Sequence, residues 1–123
     1  MKPVIAFICL SAITCLSIAG PNVCPTLKDG KLPADQQVYW TLYGVHYGAP
    51  STFHSAALKV GTKSNTQGTL ICNYADSQGI VSYRSLNDQV NLPNPISGKW
   101  AKSFNLGYNC ISSTPSDCPF IWP

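Results

Sequence analysis

Four cysteines, Cys24, Cys72, Cys110 and Cys118, are spread along the part of this chain that follows its leader, and bridges between them constrain the fold more than any other feature. Two further cysteines, Cys9 and Cys15, belong to that leader. Residues 1–19, MKPVIAFICLSAITCLSIA, have a basic start at Lys2, an apolar run from Val4 to Ile18 and small residues at Ser17 and Ala19. This is the pattern of a signal peptide, because the run is shorter than the roughly 20 residues a membrane-spanning helix needs. Cleavage is expected after Ala19. A lipid anchor is not expected, since Thr14 precedes Cys15 and Val23 precedes Cys24 where Gly, Ala or Ser would be required. No later segment is long and apolar enough to span a membrane, so the expected location is secreted or periplasmic.

An even number of cysteines in an exported chain argues for disulfides. Of the three possible pairings, Cys24 with Cys72 and Cys110 with Cys118 is preferred, because the last two flank ISSTPSD, a flexible Ser/Pro loop that can close on itself. Zinc is the weaker alternative. There is no Cys-x-x-Cys, and the compartment is oxidising. No cofactor is expected.

Residues 20–123 have the length of one domain with one core. Their apolar residues alternate or cluster in short runs between Gly, Pro, Asn and Asp, and the helical template fails nearly everywhere. The expected fold is all-β: a small antiparallel sandwich or open barrel stapled by disulfides, with residues 110–118 as a C-terminal loop. Strands are expected over residues 38–47, 53–60, 69–74 and 80–86, with a Gly-containing hairpin loop at 75–79. Residues 87–98, with Pro93 and Pro95, read as an extended loop. Residues 99–108 read as a final strand.

The formal net charge is +3, one unit of which is Lys2 in the leader. The basic residues are scattered singly, so the electrostatic footprint of a nucleic-acid binder is missing. Lys99-Trp100-Ala101-Lys102 is the one tight basic and aromatic group, and it reads as a solvated strand edge.

Both histidines lie in VHYGAPSTFH, residues 45–54. If residues 48–52 turn the chain, His46 faces His54, and Trp40, Leu42, Ala56, Leu58 and Val60 share one face. Paired imidazoles at His46 and His54 are the candidate metal ligands, although a stable site wants three or four. They are also the candidate acid and base of a small hydrolase or nuclease, although no third orienting group accompanies them. Neither a Gly-x-Ser-x-Gly elbow, nor His-Glu-x-x-His, nor a phosphate-cradling glycine loop is present. The balance is against an enzyme.

Aromatic side chains are the other candidates for function. Tyr39, Tyr43 and Tyr47 fall on the strand face opposite Trp40 and Leu42, suited to stacking on sugars or a partner protein, or to core packing. Trp122, in the aromatic end that follows Cys118, either plugs the core or anchors a partner.

Cys24-Pro25 soon after a leader, then Gly30, Trp40, Ala56-Ala57 and Gly68-Thr-Leu-Ile-Cys72-Asn-Tyr74 followed by Gly79 resembles a family of small exported bacterial proteins catalogued as a domain of unknown function. The likeness covers roughly Cys24 to Leu86. It implies export through the inner membrane and release as a type II secretion substrate, and it carries over no catalytic residue. The expected function is a secreted or periplasmic binding or interaction module for a protein or glycan partner, contacting it through Tyr39, Tyr43, Tyr47 and Trp122. The alternatives are the small hydrolase or nuclease and an inhibitor of another enzyme.

Overall fold

The computed structural model describes residues 20–44, 47–61, 66–103 and 107–123. The leader expected over residues 1–19 and His46 lie outside the described residues. Seven strands form: β1 (Trp40–Leu42), β2 (Phe53–Val60), β3 (Gln67–Asp76), β4 (Gly79–Ser85), β5 (Val90–Asn91), β6 (Trp100–Ser103) and β7 (Gly107–Ile111). All pairings are antiparallel. They make one open sheet in the order β1-β4-β3-β2-β7-β6, with β5 also paired to β3. The expected all-β, disulfide-stapled architecture is the one the chain adopts, and both expected bridges, Cys24–Cys72 and Cys110–Cys118, are formed.

Alternation along each strand sends one set of side chains to an inner face. Ala56 and Leu58 of β2, Leu70, Cys72 and Tyr74 of β3, and Val81 and Tyr83 of β4 are all buried there. The register stacks them in rows, with Ala56 opposite both Cys72 and Cys110, and Cys72 opposite Tyr83.

The two ends of the described chain cover this face. Cys24 is bonded to Cys72 in the middle of β3. The Tyr74 hydroxyl donates to the Pro25 carbonyl, and the Tyr83 hydroxyl donates to that of Gly30 at 2.8 Å. At the other end Cys118 is bonded to Cys110 of β7, and Trp100 Nε1 donates to the Pro119 carbonyl at 2.7 Å. Phe120 is buried edge-on to Trp40, with ring centroids 6.0 Å apart. The two segments meet where the Phe120 amide donates to the Asn22 carbonyl at 3.0 Å.

Trp40 and Trp100 stand on the two outermost strands, yet they meet the adjacent residues Phe120 and Pro119. A flat sheet would hold those strands about 24 Å apart at the usual spacing of roughly 4.8 Å. Side chains project nearly perpendicular to the sheet, so both tryptophans reach one dipeptide because the sheet curls around it. Ser85 is the buried polar residue of this interior. The Leu70 amide donates to its Oγ at 3.0 Å, and Ser85 donates in turn to the Asn87 carbonyl at 2.6 Å, which satisfies the backbone where β3 passes from β4 to β5.

Three local expectations are corrected. Of the strand expected over residues 38–47, the described residues form only Trp40–Leu42. Gly44, at φ +77, takes the chain out of strand geometry. The hairpin register is also different: Trp40 lies opposite Ser85 and Leu42 opposite Tyr83, while β2 has both edges occupied by β3 and β7. Third, the strand expected over residues 99–108 is two strands, β6 and β7, paired as a hairpin.

The disulfides are expected to contribute unequally, because the entropy a bridge removes from the unfolded chain grows with the loop it closes. Cys24–Cys72 spans 48 residues of sequence and Cys110–Cys118 spans 8. Paired Cys→Ala replacement of the first should cost about 4 kcal/mol and of the second about 2.5 kcal/mol in urea unfolding; an inverted order would show that native-state contacts outweigh loop closure.

Burial pushes the Tyr74 phenol far above its ordinary range, and neighbouring Tyr83 adds to the shift; burial raises Tyr83 as well. Above about pH 10 the unfolded chain releases these protons while the folded chain retains them. Stability present below that pH is therefore lost as pH rises through it. Urea midpoints compared at about pH 8 and about pH 10.5 should fall steeply in the native chain and less steeply in Tyr74→Phe.

Candidate functional site

Both terminal segments pack on the inner face, and no described element lies over the other. Three rows of side chains cross this outer face. Tyr43, Ser82, Asn73, Ser55 and Ile111 form one, the Tyr43 amide donating to the Ser82 carbonyl at 2.8 Å. Thr41, Arg84, Ile71, Ala57, Asn109 and Ala101 form the next. Thr69 and Lys59 lie opposite each other in the third, continued by Gly107 and Ser103.

The middle of the first row is a hydrogen-bonded relay. Ser82 Oγ donates to Asn73 Oδ1 at 2.6 Å, and Asn73 Nδ2 donates to Ser55 Oγ at 3.2 Å. His54 joins it through an irregularity in the ladder. Phe53 pairs with Tyr74 and Ser55 with Asn73, so His54 is an extra residue, a bulge that brings its ring beside Ser55. Nδ1 lies 3.0 Å from Ser55 Oγ. When Ser55 gives its single hydrogen to Nδ1, the relay runs one way and the imidazole presents its Nε2–H outward.

Across the second row, from the first to the third, a tyrosine is pinned by a lysine. Lys59 Nζ donates to the Tyr43 hydroxyl at 3.1 Å and sits 5.5 Å from the ring centroid. Tyr43 follows β1 and Lys59 is on β2, with β4 and β3 between them. Their tips can meet only over those intervening strands, where Ile71 points outward and is only 5 % exposed. Beside Lys59 lies a recess of about 570 Å³, lined by Ala57, Lys59, Ser103, Gly107 and Asn109 among others.

Charge is distributed unevenly. The face carries Lys59 and Arg84, and all five acidic residues of the chain are placed elsewhere. Asp29 is in the Lys28–Lys31 turn, Asp35 and Asp117 are in 3-10 turns, and Asp88 is in the loop before β5. Asp76 ends β3 on the other phase of the strand, where it accepts the Gln78 amide at 2.7 Å. Among the described residues the ion pair is Lys99 with Asp117 at 3.4 Å, so neither Lys59 nor Arg84 has a carboxylate partner there. The Ser112 hydroxyl, and then Lys99, hold the Asp117 carboxyl below the usual carboxylate range.

The four aromatic candidates separate into two pairs. Tyr39 and Trp122 are partly buried against the core, edge-on to each other at 5.4 Å, and Trp122 also meets Trp40 at 5.6 Å. Tyr43 and Tyr47 are exposed, by 36 % and 68 %. Tyr47 is held at the end of β4, its amide donating to the Ile80 carbonyl at 3.0 Å. Gly79 permits this approach, since a Cβ there would lie 1.5 Å from the Tyr47 carbonyl oxygen. His54 is exposed, and its bonded neighbour is Ser55. No group of three His, Cys, Asp or Glu side chains gathers in a metal-binding arrangement among the described residues. No helix among them is long and apolar enough to cross a membrane.

Lys59, Arg84, Ser55, Asn73 and Ser82 were not among the sequence candidates. Their signal was present as the polar phase of FHSAALKV, TLICNY and IVSYRSL. What joins them is register, which alternation does not specify. Comparison of the chain with protein-family models, with curated proteins and with solved structures finds no match in any of the three.

Asn73→Ala removes both links at the middle of the relay and should cost about 2 kcal/mol, at the usual net value of about 1 kcal/mol for each of the two hydrogen bonds. Chemical denaturation checks this, and Ser82→Ala should cost less because the Asn73 carbonyl can then turn to water.

Proposed function

We propose that this protein is a binding module acting outside the cytoplasm, secreted or periplasmic, and that its binding surface is the open outer face of the sheet. The observation that carries this reading is the pinning of Tyr43 by Lys59 above a face that no described part of the chain covers. A ring held in place before binding loses little side-chain freedom on binding, which favours affinity. The two disulfides are compatible with an oxidising compartment. Tyr39 and Trp122 serve the core in this reading, while Tyr43 and Tyr47 face the ligand. The hydrolase alternative has less support: the His54 imidazole meets Ser55 but no carboxylate among the described residues, and an acyl-transfer site needs a group to orient its base.

A thermal-shift panel of glycans, peptidoglycan fragments, peptides and divalent metals on the oxidised protein should yield a stabilising ligand. Titrated into the labelled protein, that ligand should move the amide resonances of Thr69, Asn73, Ser82 and Arg84 and leave those of Leu27 and Phe120 in place. The reverse pattern would transfer the site to the terminal segments.

A further inference from the structure

We infer that the ligand of the open face is an anionic polysaccharide, with Lys59 and Arg84 meeting its charged groups and Tyr43 a sugar ring. This rests on the reading of that face as the binding surface. The first argument is charge. Lys59 and Arg84 share a face from which every carboxylate is absent, and neither is neutralised within the described chain. Lys59 spends one of its three donors on Tyr43 and keeps two for a ligand. Among the described residues Arg84 makes a long contact, at 3.5 Å, to the Ser85 carbonyl.

A second copy of this chain does not suit the face, because pairing two such surfaces sets cation against cation with no carboxylate to answer them. A nucleic acid suits it poorly as well. Duplex DNA carries a charge about every 1.7 Å, whereas strand geometry separates the Lys59 and Arg84 backbones by about 12 Å. A glycan charged once every sugar or two matches that sparse spacing.

The distribution of polarity favours a glycan over an acidic protein. Protein interfaces concentrate apolar side chains at the centre and polar ones at the rim. Here Ser55, Asn73 and Ser82 form a polar row beside the buried Ile71, while the exposed apolar groups, Tyr47, Ile80 and Ile111, lie at the margins. Hydroxyl and amide groups in a flat row suit the hydroxyls of a sugar chain. The recess at Gly107 beside Lys59 has room for a charged substituent.

The test uses the oxidised exported chain with heparin as a sulfated probe, polygalacturonate as a carboxylated probe, and dextran, poly-aspartate and a single-stranded oligonucleotide as comparisons, titrated at low and raised salt. The expected result is salt-sensitive binding of heparin or polygalacturonate and none of dextran. Lys59→Ala with Arg84→Ala should weaken it at least tenfold, and Tyr43→Ala about fivefold. Lys28→Ala with Lys31→Ala, which removes the cations of the exposed N-terminal turn, should change it less than twofold. Circular dichroism and Tm confirm that each variant is folded. Failure to bind either polyanionic glycan overturns the inference, as does loss of binding in the Lys28/Lys31 variant alone. Tighter, Lys59- and Arg84-dependent binding of poly-aspartate or the oligonucleotide overturns it while leaving the face as the binding surface. Binding that none of the face variants alters overturns both.

Discussion

Cys24 is bonded to Cys72 at the centre of β3, a strand with neighbours on both sides, and the rest of the architecture depends on that bond. A curled antiparallel sheet has one face that must be buried, and among the described residues there is no second sheet to bury it. The N-terminal segment does so in part. It is a short irregular stretch with few apolar residues, so contact area alone holds it weakly. The disulfide and the hydroxyls of Tyr74 and Tyr83, which donate to Pro25 and Gly30, tie it down at three places along one path. The C-terminal segment is held in the same way, by Cys118 and by the indole of Trp100. A domain of about 100 residues buries a modest fraction of its surface, and these ties compensate for a thin second layer.

With both terminal segments on one face, no described part of the chain covers the other. Its side chains are mostly small or polar, serines, threonines, asparagines, alanines, one lysine and one arginine, with Ile111 exposed at its margin and Ile71 the buried exception. Carboxylates are excluded from it and placed in turns, where Asp76 and Asp117 accept local hydrogen bonds. The bulge at His54 is the one departure from regular pairing along β2, and it adds an imidazole to a relay that alternation alone would end at Ser55.

Much of the fold was legible because its cause is local. FHSAALKV and IVSYRSL alternate strictly enough to identify both strand and inward phase, and apart from Ile71 of TLICNY, which points outward, the buried residues of these strands are those of that phase. The short Cys110–Cys118 bridge was legible from the Ser/Pro loop it closes. The partner of Trp40 was not. Residues 40 and 60 are equally suited to face each other by pattern, but β2 lies between β3 and β7, and β1 is carried to the far edge beside β4. Pattern specifies a side chain's face, and competition among all strands specifies its neighbour. The expected facing of Leu42 with Leu58 and of Trp40 with Val60 failed for the same reason, since that register belongs to a hairpin these strands do not form.

The candidate site divides along that line. The absence of glutamate and the polar phase of each strand are properties of the chain as written; the exposure of Tyr43 and Tyr47 is not, since the same alternation suited them to core packing. Folding added the juxtapositions. It carried Tyr43 across two strands to Lys59, placed Asn73 between Ser55 and Ser82, and took Tyr39 and Trp122 from the surface into one aromatic cluster on the core. Composition and alternation act over a few residues and can be read along the chain. Contacts between residues 16 or more apart depend on which strand edges are already filled and which segments the disulfides bring across, and those are properties of the assembled sheet.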